Sequence, residues 1–135
     1  MSSCVLDTDV VIAALDRRDA HHRAAAAAVG AMLDAGTSLL LSTVNYAEAL
    51  VRPAEDERTL RMAVDAIAAL QIRLVPPTPV VARDAARHRQ LTISLADGFA
   101  IATAQAHGAA VATFDKRVRR ALRRIGVEPA GALTR

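Results

Sequence analysis

The stretch Cys4-Val5-Leu6-Asp7-Thr8-Asp9-Val10 sets the expectations for the whole chain. Three apolar residues lead directly into two acids separated by a threonine, and a further apolar run continues to Leu15. This is the profile of a buried parallel strand followed by a helix. In open parallel α/β sheets, ligands bind beyond the carboxyl ends of the strands. Asp7 would lie at such an end, so the sequence predicts a ligand site there if other acids reach the same edge.

Length and composition favour one domain, and we expect residues 1–135 to form it. The chain is 53% hydrophobic but only 2% aromatic, so its core must consist of Ala, Val, Leu and Ile. Its apolar runs are shorter than the ~20 residues of a membrane span, which argues against membrane insertion. Residues 1–3 lack the basic region of a secretory signal, and Cys4 is the only cysteine. A cytoplasmic location is therefore expected, because a lone thiol fits a reducing compartment.

The charge of the chain is mildly basic, since 17 Lys and Arg residues against 14 Asp and Glu give a net charge of +3. Lys116 is the only lysine, and arginine is the better fork for phosphate groups. This excess of positive charge is compatible with a nucleic-acid partner. It is equally compatible with an arginine-rich composition that has no functional role. The scarcity of aromatic residues leaves no stacking platform for single-stranded bases.

Strand and helix patterns alternate along the chain. The apolar periodicity predicts helices over residues 10–17, 20–35, 43–52, 55–71, 79–91, 96–107 and 116–125. Short apolar runs predict strands over residues 4–6, 38–42, 72–75 and 109–113, with a marginal fifth strand opening at residues 127–128. This alternation predicts a parallel sheet covered by helices on both faces.

Four acids occupy positions that favour a shared site. Asp7 and Asp115 each follow a predicted strand. Glu48 and Asp97 lie on apolar helix faces, so both should point toward protein, where an ion is costly unless it is paired or bound to metal. Since no buried lysine is available as a partner, a divalent cation would resolve this cost.

Each of these acids also has a purely local explanation. Asp97 completes the spacing of a capping box with Ser94, and Asp115 could cap the helix that follows it. Glu48 could pair with Arg52, four residues further along the same helix.

The first acidic stretch has local explanations as well. Asp7 could be a turn residue at a strand end, and Asp9 could cap the first helix without any further role. Thr8 and Thr113 could each make only local hydrogen bonds or could support a site, and the sequence favours neither role. Local roles for all four acids at once are disfavoured, because two follow strands and two lie on apolar helix faces.

Four motifs carry a family resemblance: Asp7-Thr8-Asp9, Ser42-Thr-Val-Asn-Tyr-Ala-Glu48, Ser94-Leu-Ala-Asp97-Gly-Phe-Ala-Ile-Ala and Thr113-Phe-Asp115. In this order and spacing they resemble the PIN domain, and more narrowly the VapC-type ribonuclease toxins of bacterial toxin–antitoxin pairs. The resemblance covers essentially the whole chain. It implies a three-layer α/β sandwich, with a parallel sheet of four to five strands in the order 3-2-1-4-5 and helices on both faces.

The resemblance also implies a chemistry. Mg²⁺ or Mn²⁺ would be bound by Asp7, Glu48, Asp97 and Asp115, which would be the catalytic residues of a metal-dependent endoribonuclease. A cognate antitoxin would inhibit the enzyme, and a homodimer is expected. Many relatives have asparagine where Asp9 stands, so its contribution to metal binding stays open.

For cleavage of an RNA phosphodiester, we expect Asp7, Asp97 and Asp115 to be the main metal ligands. Glu48 would orient the attacking water or bind a second ion, and Thr113 would support the cluster through a hydrogen bond. The helix after Asp115 is strongly basic and is either a solvated face or a phosphate-binding rim for RNA, formed by Lys116, Arg117, Arg119, Arg120, Arg123 and Arg124.

Two other functions start from the same residues. The opening motif also resembles that of haloacid-dehalogenase-type phosphatases, with Asp7 as nucleophile and Asp9 as acid/base. That chemistry would require Lys116 to support the phosphate, and it would leave Glu48 unexplained. A third possibility is a PIN-like module that binds RNA or a protein partner without catalysis.

Overall fold

The computed structural model describes residues 2–133, apart from the side chain of residue 132. Within these residues, four strands are β1 (Ser3–Leu6), β2 (Ser38–Ser42), β3 (Arg73–Val75) and β4 (Ala110–Ala112). The helices are α1 (Thr8–Leu15), α2 (His22–Asp34), α3 (Thr43–Leu50), α4 (Glu57–Ala69), α5 (Pro79–His88), α6 (Leu95–His107) and α7 (Lys116–Ile125). Short 3₁₀ turns occupy Pro53–Glu55, Arg89–Leu91 and Gly131–Leu133. The predicted alternation of strands and helices is confirmed, and β2 and α7 have the predicted bounds.

The four strands form one parallel sheet in the order β3-β2-β1-β4. β1 is central, so that Val5 lies opposite Leu40 of β2 on one side and Val111 of β4 on the other. A strand covered on both faces needs a continuous apolar sequence, which explains why β1 lacks the alternation of a half-exposed strand. The segments that follow β1, β2 and β4 therefore begin at the same edge of the sheet.

Helices cover both faces of the sheet, which confirms the three-layer prediction. On one face, Cys4 and Leu6 of β1 pack in a core with residues of α1, α2 and α4. On the other face, Val5 packs in a second core with Ile101 of α6 and Leu122 of α7. No helix among the described residues is both long and apolar enough to cross a membrane.

Of the four to five predicted strands, four form within residues 2–133, and the described part of the segment after α7 makes one isolated bridge to β4. The amide of Val111 donates to the carbonyl of Glu128 at 2.9 Å, and the amide of Ala130 donates to the carbonyl of Val111 at 2.8 Å. The bridging residue is Pro129, which has no amide hydrogen to extend the ladder. The segment thus occupies the position of a fifth strand without becoming one.

Candidate active site

Asp7 lies at the carboxyl end of β1 and is only 2% exposed. Its carboxylate is held by two donors: the amide of Thr8 donates to Oδ1 at 2.9 Å, and the hydroxyl of Thr113 donates to Oδ2 at 2.8 Å. Asp7 is also the N-cap of α1, because this helix begins at Thr8. The turn from strand to helix therefore places a buried carboxylate at the edge of the sheet.

The prediction that Asp9 caps the first helix is wrong, because α1 begins before it and Asp7 is the cap. Asp9 lies in the first turn, where its Oδ2 accepts a hydrogen bond of 3.0 Å from the amide of Phe114. Its Oδ1 is buried and has no hydrogen-bond partner within residues 2–133. A buried oxygen without a partner is rare in folded proteins and calls for an explanation such as a bound ion or water.

Thr113 connects the ends of β1 and β4. Its hydroxyl donates to Asp7 and accepts a hydrogen bond of 3.1 Å from the amide of Asp115. Asp115 then caps α7, since its Oδ1 accepts from the amides of Arg117 at 2.8 Å and Val118 at 3.4 Å. The local explanation of Asp115 is therefore correct, and the same hydroxyl also links Asp115 to Asp7.

Asp97 forms the predicted capping box at the start of α6. Its amide donates to the hydroxyl of Ser94 at 3.1 Å, and its Oδ2 accepts from the amide of Ser94 at 3.3 Å. Ala100, Ile101 and Ala104, which lie on its side of the helix, are completely buried as predicted. Asp97 itself is half-buried, so its carboxylate remains accessible from one side.

The prediction that Glu48 points toward protein is wrong, because its side chain is exposed. The buried residues of α3 are Asn45 and Ala49, and Val51 at the end of this helix is 65% exposed. Of the apolar neighbours of Glu48, Ala47 and Val51 are thus on the outer side of the helix, whereas Val44 is half-buried. The alternative ion pair with Arg52 does not form among the described residues either.

The pKa of Asp7 is raised from 3.8 to about 8, and burial is the largest cause. The negative charges of Asp9 and Asp97 contribute to this rise, while the hydrogen bonds from Thr113 and Thr8 act in the opposite direction. A carboxyl group with this pKa is mostly protonated at neutral pH, so the site disfavours a further negative charge unless a cation is present.

Two more acids have a raised pKa, and burial is again the largest cause for each. The charges of Asp115 and Asp97 also raise the pKa of Asp9, and those of Asp115 and Glu48 raise the pKa of Asp97. These interactions join residues from four separate segments into one group. We call it the acidic cluster: Asp7, Asp9, Glu48, Asp97 and Asp115.

The donor set of the acidic cluster suits a hard divalent cation, which prefers carboxylate oxygens. The partnerless Oδ1 of Asp9 and the mutual repulsion of the acids fit such an ion as well. However, no three His, Cys, Asp or Glu side chains within residues 2–133 converge so as to hold a metal ion. Asp97 and Asp115 are instead turned toward the backbone amides that they cap. The acids share one region, and their side chains would have to rotate to bind a common ion.

Asn45 is a residue of this region that the sequence prediction missed. It is completely buried, and its Nδ2 donates to the hydroxyl of Thr8 at 3.0 Å and to the carbonyl of Ala96 at 3.1 Å. These bonds join α3 to the residues next to Asp7 and Asp97. The sequence did contain a signal for Asn45, since it is a polar residue on the inner side of the helix that bears Glu48. Thr8, predicted as a supporting residue, accepts the first of these hydrogen bonds.

Two clefts flank the acidic cluster. The first has a volume of about 450 Å³ and is lined by Arg89, Thr92, Ile93, Ser94, Asp97 and Arg117. The second has a volume of about 370 Å³ and is lined by Asp9, Ile12, Asp19, His21, Phe114 and Asp115. In the second cleft, the exposed ring of His21 stacks on Phe114 with 4.4 Å between ring centres, so an aromatic surface does exist near the acids.

The predicted RNA-binding residues of α7 have different surroundings. Lys116, Arg117, Arg120 and Arg123 are exposed. The guanidinium of Arg119 is instead half-buried and donates to the carbonyls of Leu133 at 3.1 Å and Phe114 at 3.5 Å. Arg119 therefore ties the end of the described chain to the segment before α7.

Comparisons with known proteins place this fold. The family model of the PIN domain matches residues 4–123. No curated protein sequence matches the chain significantly. Among solved structures, FitAcB from Neisseria gonorrhoeae is similar, with a TM-score of 0.72 and 22% identity, over 98% of this chain and 99% of that one.

Two further structures share the fold at low identity. The Mycobacterium tuberculosis VapC20, described as a sarcin-ricin loop cleaving toxin, has a TM-score of 0.68 and 19% identity, over 87% of this chain and 94% of that one. A toxin-antitoxin complex from Klebsiella pneumoniae has a TM-score of 0.61 and 20% identity, over 83% of this chain and 86% of that one. Because the family model spans far more than half of the sequence and the sheet order agrees with the expected fold, the chain belongs to the PIN domain family.

Proposed function

We propose that this chain is the toxin of a bacterial type II toxin–antitoxin pair and acts as a metal-dependent endoribonuclease on RNA phosphodiester bonds. Membership of the PIN family and the likeness to toxin structures support the class of activity. The observation on which the proposal chiefly rests is the acidic cluster, in which the buried Asp7 is linked through Thr113 to Asp115 and interacts with the charge of Asp97.

In this proposal, Asp7, Asp97 and Asp115 hold Mg²⁺ or Mn²⁺, and Asp9 offers its partnerless oxygen. A divalent ion held by these carboxylates would supply positive charge for activation of the attacking water and for stabilisation of the leaving oxygen. Glu48 is exposed, which leaves its carboxylate free to orient water at the margin of the site.

The chain's own hydrogen bonds prepare the acids for this task. Thr113 holds Oδ2 of Asp7 by donating to it and fixes the amide of Asp115 by accepting from it. Asn45 holds the segments next to Asp7 and Asp97 together through Thr8 and Ala96. These contacts would restrict the acids to one region while leaving their side chains able to rotate.

The partners follow from the same proposal. The substrate is RNA, and the regulator is a cognate antitoxin protein, which the toxin-antitoxin complex among the structural neighbours supports. We further infer that residues 1–135 form a single nuclease domain, that it acts as a homodimer, and that it works in the cytoplasm, where its substrate occurs.

The phosphatase alternative fits these observations less well. Lys116, which would have to support the phosphate, is exposed. Membership of the PIN family also favours the nuclease.

The test is cleavage of RNA with Mn²⁺, with Mg²⁺ and with EDTA, comparing the wild type with Asp97→Asn and Asp65→Asn. Asparagine at position 97 can still accept the hydrogen bond from Ser94, so the helix cap is retained. Asp65 is exposed on α4, is not among the charges that raise the pKa of Asp7, Asp9 or Asp97, and gives a matched loss of charge. We expect the wild type and Asp65→Asn to cleave RNA with either metal but not with EDTA.

We expect Asp97→Asn to lose cleavage by at least about 100-fold, a loss that corresponds to about 2.7 kcal/mol of transition-state stabilisation. Cleavage that persists in EDTA, or in Asp97→Asn at the wild-type rate, would contradict the proposal. RNA binding by the wild type without cleavage in either metal would favour the non-catalytic module instead.

A further inference from the structure

The first cleft beside Asp97 brings together arginines from two separate parts of the chain. Arg89 lies in the 3₁₀ turn after α5, and Arg117 lies in the first turn of α7. We call this site the Arg89–Arg117 cleft. Its volume of about 450 Å³ is within the range of roughly 300–1,000 Å³ that is usual for sites of small ligands. The cleft thus has room for a ligand group, and Asp97, one acid of the proposed site, is part of its lining.

Arg89 is fixed in place but has no counter-charge. Its Nη1 donates to the carbonyl of Ile93 at 2.7 Å, across the loop that leads into α6. No carboxylate among the described residues pairs with it. A guanidinium has five N–H donors in a planar fork, so most of its donors remain available in the cleft.

Arg117 lines the same cleft. Its Nε lies 3.8 Å from Oδ1 of Asp115, and its side chain remains largely exposed. The lining therefore contains two guanidinium groups and one carboxylate, Asp97, while Asp115 beside the lining pairs with Arg117 and leaves Arg89 as the cation without a counter-charge. Arginine binds phosphate well, because the two parallel N–H donors of a guanidinium group match two oxygens of a phosphate.

We propose that the Arg89–Arg117 cleft binds the backbone phosphate of RNA that neighbours the bond to be cut, and so leads the strand across Asp97. This inference rests on the proposed function for the identity of the substrate. Arg89 is then a substrate-binding residue that lies outside the basic helix α7 and acts on affinity. The basic charge around the acidic cluster is accordingly split between α7 and the turn after α5.

The test measures binding of a short single-stranded RNA by fluorescence anisotropy in EDTA over a series of salt concentrations. EDTA separates binding from cleavage, so the measurement does not depend on the nuclease activity. The variants are Arg89→Gln, Arg89→Lys and the control Arg83→Gln. Arg83 is exposed on α5 and is not part of the cleft, and its substitution removes the same charge.

We expect Arg89→Gln to weaken RNA binding at least fivefold more than Arg83→Gln does. It should also reduce the slope of log K against log salt by about 0.7, the value for one phosphate contact with a single strand. Arg89→Lys keeps the charge but loses the fork, so it should preserve the slope and weaken binding less than glutamine does. Thermal unfolding checks that each variant is folded. If Arg89→Gln does not fold, Arg89→Lys is compared with the wild type and with Arg83→Gln instead.

Equal affinity and slope for Arg89→Gln and Arg83→Gln would overturn the inference. It would also be overturned if Arg89→Lys lost as much of the slope as Arg89→Gln, since charge at this position would then be irrelevant. The proposed function fails separately: a wild type that does not cleave RNA with Mn²⁺, while Arg89→Gln still weakens RNA binding, would contradict the nuclease and leave the phosphate site in place.

Discussion

The carboxyl group of Asp7 lies where a negative charge is unfavourable, and this affects the stability of the metal-free protein. Its pKa is about 8 in the folded state and near 3.8 when the side chain is solvated. Between these values the folded protein binds more protons than the unfolded chain does. The free energy of unfolding therefore decreases as pH rises through this range. The raised pKa values of Asp9 and Asp97 act in the same direction.

We predict that the melting temperature of the metal-free protein falls between pH 5 and pH 8, and that Asp7→Asn reduces this fall. Each kcal/mol corresponds to about 4 °C in a chain of this size. The amide of asparagine keeps an oxygen acceptor but carries no charge, so the variant at pH 8 should melt at the wild-type temperature or above. Melting curves in EDTA at several pH values provide the measurement. A lower melting temperature for Asp7→Asn at pH 8 would mean that Asp7 is mainly structural.

Asn45 shows that a polar residue at the site can have a buried, connecting role. Its side-chain amide joins three elements, through Thr8 of α1 and Ala96 of α6. Buried hydrogen bonds of this kind cost more when one partner is lost than they contribute when formed, because the remaining groups stay desolvated. The position of the acids therefore depends on a residue that bears no charge.

At the scale of elements, the close contact between α5 and α6 positions both Asp97 and Arg89. Gly98 follows Asp97 directly, and a Cβ added there would lie 2.7 Å from the carbonyl oxygen of Ala85. Backbone cannot yield to such a contact without moving one helix. Glycine at this position is required by the approach of the two helices, since it is otherwise unfavourable within a helix.

We predict that Gly98→Ala lowers the free energy of unfolding by about 1–3 kcal/mol, the usual cost of overpacking. Gly30→Ala is the matched control, because it lies in α2 and an added Cβ meets nothing within 4 Å. That variant should be more stable by about 0.5–1 kcal/mol, through helix propensity alone. Urea unfolding curves measure both changes. Equal stabilisation of the two variants would show that α5 and α6 tolerate a wider separation.

At the scale of the molecule, the order β3-β2-β1-β4 brings acids from distant segments to one edge of the sheet. Asp7 follows the central strand, Asp115 follows its neighbour β4, and Asp97 lies in the first turn of α6, which packs against both strands. A cation that binds this cluster binds only the folded chain, so it must raise the stability of the whole protein.

We predict that saturating Mn²⁺ raises the melting temperature at pH 8 by about 10 °C, since about 2.7 kcal/mol is gained at 100 times the dissociation constant. The increase should be smaller at pH 6, because the proton on Asp7 competes with the metal. Asp97→Asn should lose most of the increase, whereas Asp65→Asn should retain it. If Mn²⁺ shifted Asp97→Asn as much as the wild type, the ion would be binding elsewhere.

Local patterns were sufficient where a single segment decides the outcome. The strand at residues 38–42, the helix at residues 116–125 and the capping box of Ser94 and Asp97 were predicted, because their signals lie within a few neighbouring residues. The position of Asp7 at a strand end followed from the apolar run before it. The order of the sheet came from the family resemblance, and no local pattern would have determined it.

The sequence by itself determined that acids would follow apolar strands in a parallel α/β protein, because strand ends and helix caps depend on adjacent residues. Only the tertiary structure decided that Glu48 is exposed, that Asn45 is buried and connecting, and that Arg89 meets Arg117 across a cleft. The physical reason is that the covered side of a helix depends on which distant segments pack against it. Periodicity identifies an apolar face, but burial and charge pairing are properties of the assembled sheet and its two layers of helices.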